Sequence, residues 1–387
     1  MATMVATGNS VQARMLQILA ELKGMNFERD AELTGAVVAL LARQHMLLLG
    51  DPGTGKSRLI RGIAQRIEGA RYFQKQLARD TKTEEVFGMW DMKAMESGLF
   101  KRAAGARRMQ DAHVVFMDEI GKAGSNIRNQ LLLGMEEREF EDGDQVVQIP
   151  LMTMFAASNE MFTDDDETAA AVWDRFVLRY VVRPIQHPAN FRKVLDLNDE
   201  DGTPGVTVTL AELQQAQAEV KTVDLAKVNP LLERLWAKVN AKKIPVSIRR
   251  WKRVQRVVRA HAWLHGRMVA NEEDLEVAAH ALWVEPNQLA TIRKEIMELA
   301  NPLDQEALEL HDQALEVYTK AMDPEVPEDK LTDVGREANK KLRHAKERLQ
   351  TLKEQAEAAG KSTERIMAAW NDIDAWNKEV ATKCLGL

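Results

Sequence analysis

The sequence predicts an α/β protein: a parallel sheet covered by helices, then a smaller all-helical domain, then a helical extension. Three observations carry this. Between His45 and about Pro188, short apolar runs (MLLLG, RYFQK, HVVFMDE, MTMFAASN) alternate with helical stretches. Runs as continuous as VVFM suit strands buried on both faces, which means a parallel sheet with helices on either side. The first run ends in a glycine-rich turn. Beyond a glycine-, proline- and acid-rich cluster at Leu197 to Gly205, the pattern is helical to the end.

Residues 1–44 show two helical stripes, Met15, Ile18, Leu19 and Leu22, then Leu33, Val37, Leu40 and Leu41. The sheet domain is expected over 45–195. Inside it, EEREFEDGDQVVQIP has a polar, glycine-centred middle flanked by Phe140 and Val146–Ile149, the pattern of a β-hairpin. The segments KVNPLLERLWAKVNA and VSIRRWKRVQRVVRAHAWLHGR carry apolar residues at three- and four-residue spacing and place a helical domain over 206–285.

The extension, 286–387, should begin with one helix from about Asn287 to Met322, closed by the breaker DPEVPED. Ala338, Leu342, Ala345, Leu349, Leu352, Ala356 and Ala359 then follow a 4-3-4-3 spacing, a heptad seam of small residues. Gly360 would cap that helix. Ile366, Trp370, Ile373 and Val380 start a second, antiparallel one.

Composition narrows the function. With 387 residues, 45% of them hydrophobic, the chain can bury two or three cores. A net charge of −6 weighs against a general nucleic-acid coat. One cysteine, Cys384, excludes a disulfide framework and fits a reducing compartment. No apolar run approaches the roughly 18 residues of a membrane span. The first residues lack a signal-peptide core, so a cytoplasmic location is expected.

The chemistry starts at Gly50-Asp51-Pro52-Gly53-Thr54-Gly55-Lys56-Ser57, which satisfies G-x-x-x-x-G-K-[ST] between a predicted strand and a predicted helix. Glycines let the backbone curl so that several N–H groups face phosphate oxygens at a helix N-terminus. Lys56 would reach the β and γ phosphates and Ser57 would hold Mg²⁺. VVFMDEI then sets Asp118 and Glu119 at the carboxyl end of a buried strand, where open α/β sheets bind ligands. Asp118 is placed to steady Mg²⁺ through its water shell, and Glu119 to polarise an attacking water. FAASNE ends another run at Asn159, a polar amide that could orient that water. Arg175 in VWDRFVLRY and Arg249 in VSIRRW would, by themselves, be ordinary surface arginines.

Taken in order, the phosphate loop, the acid pair, the asparagine and the two arginines resemble AAA+ ATPases. More narrowly they resemble the MoxR group and its RavA-type branch. The specific likenesses are EEVFG, VVFMDEIGKAGSNIRNQLL, EEREFEDGDQVVQIPLM, AASNE, DRFVLR and SIRRWKRVQRVVRAHAWLHGR. The resemblance spans roughly residues 10–300 and is specific over about 45–185. The terminal helices are similar to RavA's helical extension, without the β-rich domain that the type member carries within it.

The resemblance implies a homo-oligomeric ring, usually a hexamer, with ATP and Mg²⁺ at the subunit interfaces. Lys56 and Ser57 match the Walker A pair, Asp118 and Glu119 the Walker B acids, and Asn159 sensor 1. Arg175 matches the arginine finger, with Arg179 one helical turn away as a rival. Arg249 matches the sensor 2 arginine of the lid, with Arg250 as a rival. The hairpin around Gly143 matches an insertion that faces the pore or the partner side. Members work with von Willebrand factor A-type partners as chaperone-like remodellers or metal-insertion helpers. A nucleotide-gated scaffold and a DNA-handling AAA+ protein are the alternatives, and the acidic balance disfavours nucleic acid. His261 and His265, one turn apart, lack a third ligand in sequence and are expected to be structural. TKAMD, Thr319 to Asp323, imitates a guanine-specificity motif but lies outside the nucleotide domain.

Overall fold

The computed structural model describes residues 10–103, 108–161, 167–197, 203–323, 327–359, 361 and 363–385. Gly360 and the middle of the Leu197–Gly205 cluster lie outside them. The chain divides into two units, Met1–Leu289 and Ala290–Leu387.

The first unit opens with α1 (Val11–Met25) and α2 (Asp30–Ala42), whose buried stripes contain the apolar residues that predicted them. The Ser10 side chain accepts from the Ala13 amide and fixes the start of α1. Next come β1 (His45–Leu49), α3 (Lys56–Ala64), β2 (Ile67–Glu68), β3 (Tyr72–Gln76), and the short helices α4 (Thr83–Phe87) and α5 (Met92–Glu96). They are followed by β4 (Val114–Asp118), α6 (Ser125–Glu136), β5 (Glu139–Asp142), β6 (Gln145–Gln148), β7 (Thr153–Ser158), α7 (Glu167–Arg175), β8 (Phe176–Val181) and α8 (Pro188–Leu195).

Five strands form one parallel sheet in the order β3-β4-β7-β1-β8. β1 and β7 are buried along their whole length, as continuous apolar runs demand. The expected α/β class is therefore the observed one. β8 is the strand that periodicity missed: Arg179 interrupts FVLRYV and imitates a helical spacing from Arg175. Instead Arg175 ends α7, and Arg179 lies on β8 with its side chain buried. The guanidinium donates to the carbonyls of Trp173 (2.9 Å), Phe176 (3.1 Å) and Trp283 (2.6 Å) and lies over the Trp173 ring, so a buried cation is satisfied by local oxygens.

The hairpin forms as expected, β5 pairing antiparallel with β6. Its turn rests on a neighbouring loop. Gly143 has φ +65°, and a Cβ there would lie 2.0 Å from the Phe100 carbonyl oxygen. The Asp144 amide donates to that same oxygen. Met89, Met92, Phe100 and Val146 in these segments stay exposed.

The rest of the first unit holds β9 (Val208–Thr209), which pairs with β2, and the helices α9 (Leu210–Thr222), α10 (Asn229–Ala241), α11 (Ile248–Leu264) and α12 (Ala279–Leu282). Thr209 and Glu212 cap α9 reciprocally. Gln217 of α9 donates to the Leu40 carbonyl (2.9 Å), tying this helical part to α2.

In the second unit, α13 (Gln288–Ala300) and α14 (Pro302–Ala321) replace the single helix expected over 287–322. Pro302 lacks an N–H and clashes with the preceding turn, so it ends one helix and starts the next. α14, α15 (Glu328–Ala358) and α16 (Glu364–Leu385) bury a shared stripe that includes Ala307, Ala314, Leu342, Leu349, Ile373 and Val380. Small alanines at seven-residue spacing on α14 let the helices approach closely. Ala359, placed in the seam by its spacing, is exposed because α15 stops at Ala358.

One close contact in the first unit yields a stability prediction. A Cβ on Gly35 of α2 would lie 2.2 Å from the Tyr180 hydroxyl, and Tyr180 is locked by stacking on His280 at 3.9 Å between centroids. Gly35→Ala should lower unfolding stability by about 1–3 kcal/mol, read from denaturant midpoints. An unchanged midpoint would mean that the ring moves aside freely.

Candidate active site

At the carboxyl edge of the sheet, β1 runs into the glycine loop. Gly50 has φ +155°, and a Cβ there would lie 2.1 Å from the Val182 carbonyl oxygen, so any side chain would collide. Gly53 (φ +78°) and Gly55 (φ +84°) take left-handed conformations with open space where a Cβ would project. The loop feeds directly into α3, whose first turn holds no acidic residue and whose first amides lack helical acceptors. That combination is an anion cradle.

Lys56 opens α3 and is 8% exposed. Its Nζ donates to the carbonyls of Gly50 (2.7 Å) and Asp51 (2.8 Å) and lies 3.4 Å from the Thr54 hydroxyl. Burial lowers its pKa, while the carboxylates of Asp118, Glu119 and Asp51 push it back up. Ser57 Oγ donates to Asp118 Oδ2 at 3.3 Å, which brings the two sequence motifs into contact.

Asp118 ends β4, next to β7 in the sheet, and its Oδ1 accepts from the Glu119 amide at 3.0 Å. Glu119 sits at φ +55°, a conformation unfavourable for a residue with a side chain, and the bend aims its carboxylate off the strand end. Glu119 Oε2 is buried without a hydrogen bond, with Lys122 Nζ 3.5 Å away. A buried carboxylate oxygen lacking a donor is costly unless something else occupies its lone pairs. A hydroxyl, two carboxylates and an ammonium around an open loop fit a Mg²⁺–triphosphate group.

Asn159 is exposed and follows Ser158, whose carbonyl accepts from the Gly50 amide at 3.0 Å. It therefore emerges between β4 and β1, on the same edge as the loop and the acid pair. Arg29, which sequence reasoning did not flag, is buried here and donates to the carbonyls of Arg183 (2.7 Å) and Thr54 (3.4 Å). It braces the loop from α2, a role that leaves no local pattern in the sequence.

Arg175 and Arg249 are placed elsewhere. Phe176, the residue after Arg175, pairs with His45 at the start of β1, whereas the loop follows Leu49 at its end. The five residues of β1 put about 16 Å between the two levels, at roughly 3.3 Å per residue. At the amino edge, Glu136 at the end of α6 gathers the arginines. Its Oε2 bonds Arg253 and lies 3.7 Å from Arg175 Nε and 3.8 Å from Arg249 Nη1. Burial pushes the Glu136 carboxyl up, but the three guanidiniums outweigh it and hold it below its ordinary value. Arg175 Nε has no hydrogen bond, and Arg249 is half exposed.

The two rivals are committed to other partners. Arg179 is the carbonyl clamp on β8. Arg250 is buried, and its guanidinium bonds Asp174 Oδ1 at 2.8 Å. The structure thus assembles Lys56, Ser57, Asp118, Glu119 and Asn159 on one edge and Arg175 with Arg249 on the other. Glu136, their shared counter-ion, was not singled out from sequence, because nothing local marks it in MEEREF. The His261–His265 turn carries a caged carboxylate: Asp274, fully buried, accepts from His261 (2.7 Å), the Arg267 guanidinium and the Asn271 amide.

Comparison with known proteins places this geometry in context. Residues 13–228 match the family model described as the MoxR domain in the MoxR-vWA-beta-propeller ternary systems, and residues 226–296 match an AAA lid domain. Two uncharacterized proteins of Methanocaldococcus jannaschii are similar, one 32% identical over 78% of this chain and 78% of its own length, the other 33% over 76% and 78%. The MoxR protein of Paracoccus denitrificans is 28% identical over 44% of this chain and 50% of its own length. A solved structure from Cytophaga hutchinsonii has the same fold, with a TM-score of 0.58 at 17% identity, covering 74% of this chain and 93% of that one.

The amino edge also makes a pH prediction. His45 Nε2 donates to the Met135 carbonyl (2.9 Å) and Nδ1 accepts from the Met154 amide (2.8 Å). Burial, reinforced by Arg138 and Arg253, holds its pKa well below 6.5, and burial lowers His113 and His265 in the same direction. The unfolded chain then binds more protons than the folded one below the ordinary histidine pKa. Stability should be complete above about pH 6.5 and fall toward pH 5, by up to about 1.4 kcal/mol per pH unit for each of the buried His45 and His113, with the exposed His265 contributing little. Urea midpoints across that window check it, and a flat profile would contradict it.

Proposed function

The chain belongs to the MoxR family of AAA+ ATPases, and from that premise we propose that it is an ATP-hydrolysing ring subunit that remodels a protein partner. The observation that carries the reading is the buried Oε2 of Glu119, which makes no hydrogen bond and has only the Lys122 ammonium 3.5 Å away, beside the Ser57–Asp118 pair at the mouth of the glycine loop. A protein that only held a nucleotide would not need a carboxylate there with a lone pair open to a water.

Bound Mg²⁺–ATP supplies the terminal phosphoryl group for transfer to water and the metal charge that stabilises it. Gly50 to Gly55 and the first amides of α3 cradle the phosphates. Lys56 exchanges its loop carbonyls for phosphate oxygens. Ser57 and Asp118 hold the metal side, Glu119 accepts the proton of the attacking water, and Asn159 orients that water. Arg175 and Arg249, about 16 Å away across the sheet, cannot serve their own loop without breaking β1, so they serve the loop of the next copy. That favours a closed homo-oligomer, of the hexameric kind usual in the family, with active sites shared between subunits.

For the partner we propose a von Willebrand factor A-domain protein acting with a β-propeller, on the strength of the family model's description. The exposed Met89, Met92, Phe100 and Val146 around the hairpin suit the remodelled polypeptide, because flexible apolar side chains adapt to varied segments. The helical unit Ala290–Leu387 supports kinship with the RavA-type branch and, in this reading, docks a partner. We keep 1–44 as N-terminal helices, 45–195 as the nucleotide core, 206–285 as the lid and 286–387 as the extension. Among the described residues no helix is long and apolar enough to cross a membrane.

Two measurements test the reading. Glu119→Gln should retain ATP affinity while turnover falls by about 100-fold or more, the loss typical of a missing general base. Loss of binding together with turnover would instead assign Glu119 to the nucleotide grip. Turnover per subunit should also rise steeply with protein concentration, and admixed Arg175→Ala chains should poison wild-type rings, since a trans arginine can contribute roughly 10³–10⁵ in rate. A flat rate with no poisoning would show each chain to be self-sufficient.

A further inference from the structure

The amino edge of the sheet contains a cavity of about 600 Å³ of whose lining the proposed nucleotide chemistry uses only Arg249. Four elements close around it: the α2–β1 turn, the end of α6, one face of α9 and the length of α11. Along α11, Arg249, Lys252, Arg253, Arg256 and Arg259 recur at three- and four-residue spacing and form one cationic face about 15 Å long, at roughly 1.5 Å per residue. Like charges at that spacing destabilise a helix, so helix stability does not account for the row. Among the described lining residues there are eight arginines and lysines against one carboxylate, Glu136, in a chain whose net charge is −6.

The internal balance is incomplete. Glu136 is shared among Arg253, Arg249 and Arg175. Arg138 is occupied by backbone carbonyls, including Met135 (2.7 Å) and Arg43 (2.9 Å), and Arg259 Nε by that of Val223 (3.0 Å). Lys221, Lys252 and Arg256 have neither a hydrogen bond nor an ion pair among the described residues and are exposed at the cavity. Burial, and after it the nearby charges of Arg43, Arg253 and Arg256, lower the pKa of Arg138 to about 9 against the pull of Glu136. An anion among these groups would relieve it.

We propose that this cleft is a second anion site, separate from the glycine loop, for a compact polyphosphate chain, either free or carried by a nucleoside. The volume is that of a small-molecule site. The cations converge from several walls and do not line an open track, and most are arginines, whose planar forks match phosphate oxygens. Occupancy would compete with Glu136 for Arg253 and Arg249 and so loosen the ionic setting of Arg175. That coupling rests on the finger reading above, whereas the binding itself does not.

The test uses the full chain with Lys56→Ala, which weakens the glycine loop, and titrates it calorimetrically with sodium triphosphate and separately with Mg²⁺-free ATP. One site per chain should remain, and adding Lys221→Gln, Lys252→Gln and Arg256→Gln should weaken it by roughly tenfold or more, given three charges removed at contact range. Equal affinity for the two probes would show that the phosphate chain alone is recognised, and tighter ATP that a nucleoside is also held. No binding to the Lys56→Ala chain, binding indifferent to the three changes, or binding only once rings assemble would overturn the proposal. ATP turnover of the three-residue variant with Lys56 intact reads the hydrolytic proposal separately, so that failure of one is not mistaken for failure of the other.

Discussion

The pairing of β1 with β7 on one side and β8 on the other is the constraint on which the first unit depends. Five buried residues, hydrogen-bonded along both edges, cannot slide or bend without exposing backbone groups that have no other partner. One end of this strand launches the glycine loop and the other fixes the level at which α7 ends. The distance between the phosphate grip and the arginine cluster is therefore a strand length, set by the ladder.

Burial then divides arginines that look alike. Arg179 and Arg250 are enclosed and spend their donors on carbonyls and on Asp174, where a removed partner would leave a buried charge uncompensated. Arg175 and Arg249 stay partly open and share one carboxylate at distances too long for good hydrogen bonds. The first pair holds elements together. The second pair is held less tightly, Arg175 by the Ala171 carbonyl (2.9 Å) and by Glu136, and Arg249 by Glu136. Glu136 is the hinge of this arrangement, since it restrains three guanidiniums with a single carboxylate.

Strain is concentrated where the phosphates are expected. Glu119 adopts a left-handed backbone that its side chain disfavours, and its buried Oε2 makes no hydrogen bond. Gly50 and Gly55 adopt conformations that only glycine takes easily. The second unit shows the opposite: a long seam of small and branched apolar residues, regular helices and ion pairs at the surface. It is built for packing, and among its described residues no backbone takes a left-handed conformation, although Asn377 Oδ1 is buried without a hydrogen bond.

Local chemistry was legible in the sequence wherever a motif is contiguous. The glycine loop, the DE pair, the hairpin and the heptad seam all depend on neighbours within a few residues, so composition and spacing sufficed to find them and to predict an α/β sheet with helical additions. Three features were not legible. β8 was hidden because a buried arginine, satisfied by the carbonyls of Trp173, Phe176 and the distant Trp283, looks, in sequence, like a polar helix face. The break at Asn301–Pro302 was overlooked inside a long helical pattern. Arg29 and Glu136 gave no signal, because their partners lie far along the chain. The residue types that can grip a phosphate and activate water were thus determined by the sequence alone. Which arginines gather around Glu136, and that they do so a strand length from the phosphate loop, was decided only by the folded sheet, because parallel pairing joins segments more than a hundred residues apart at one register.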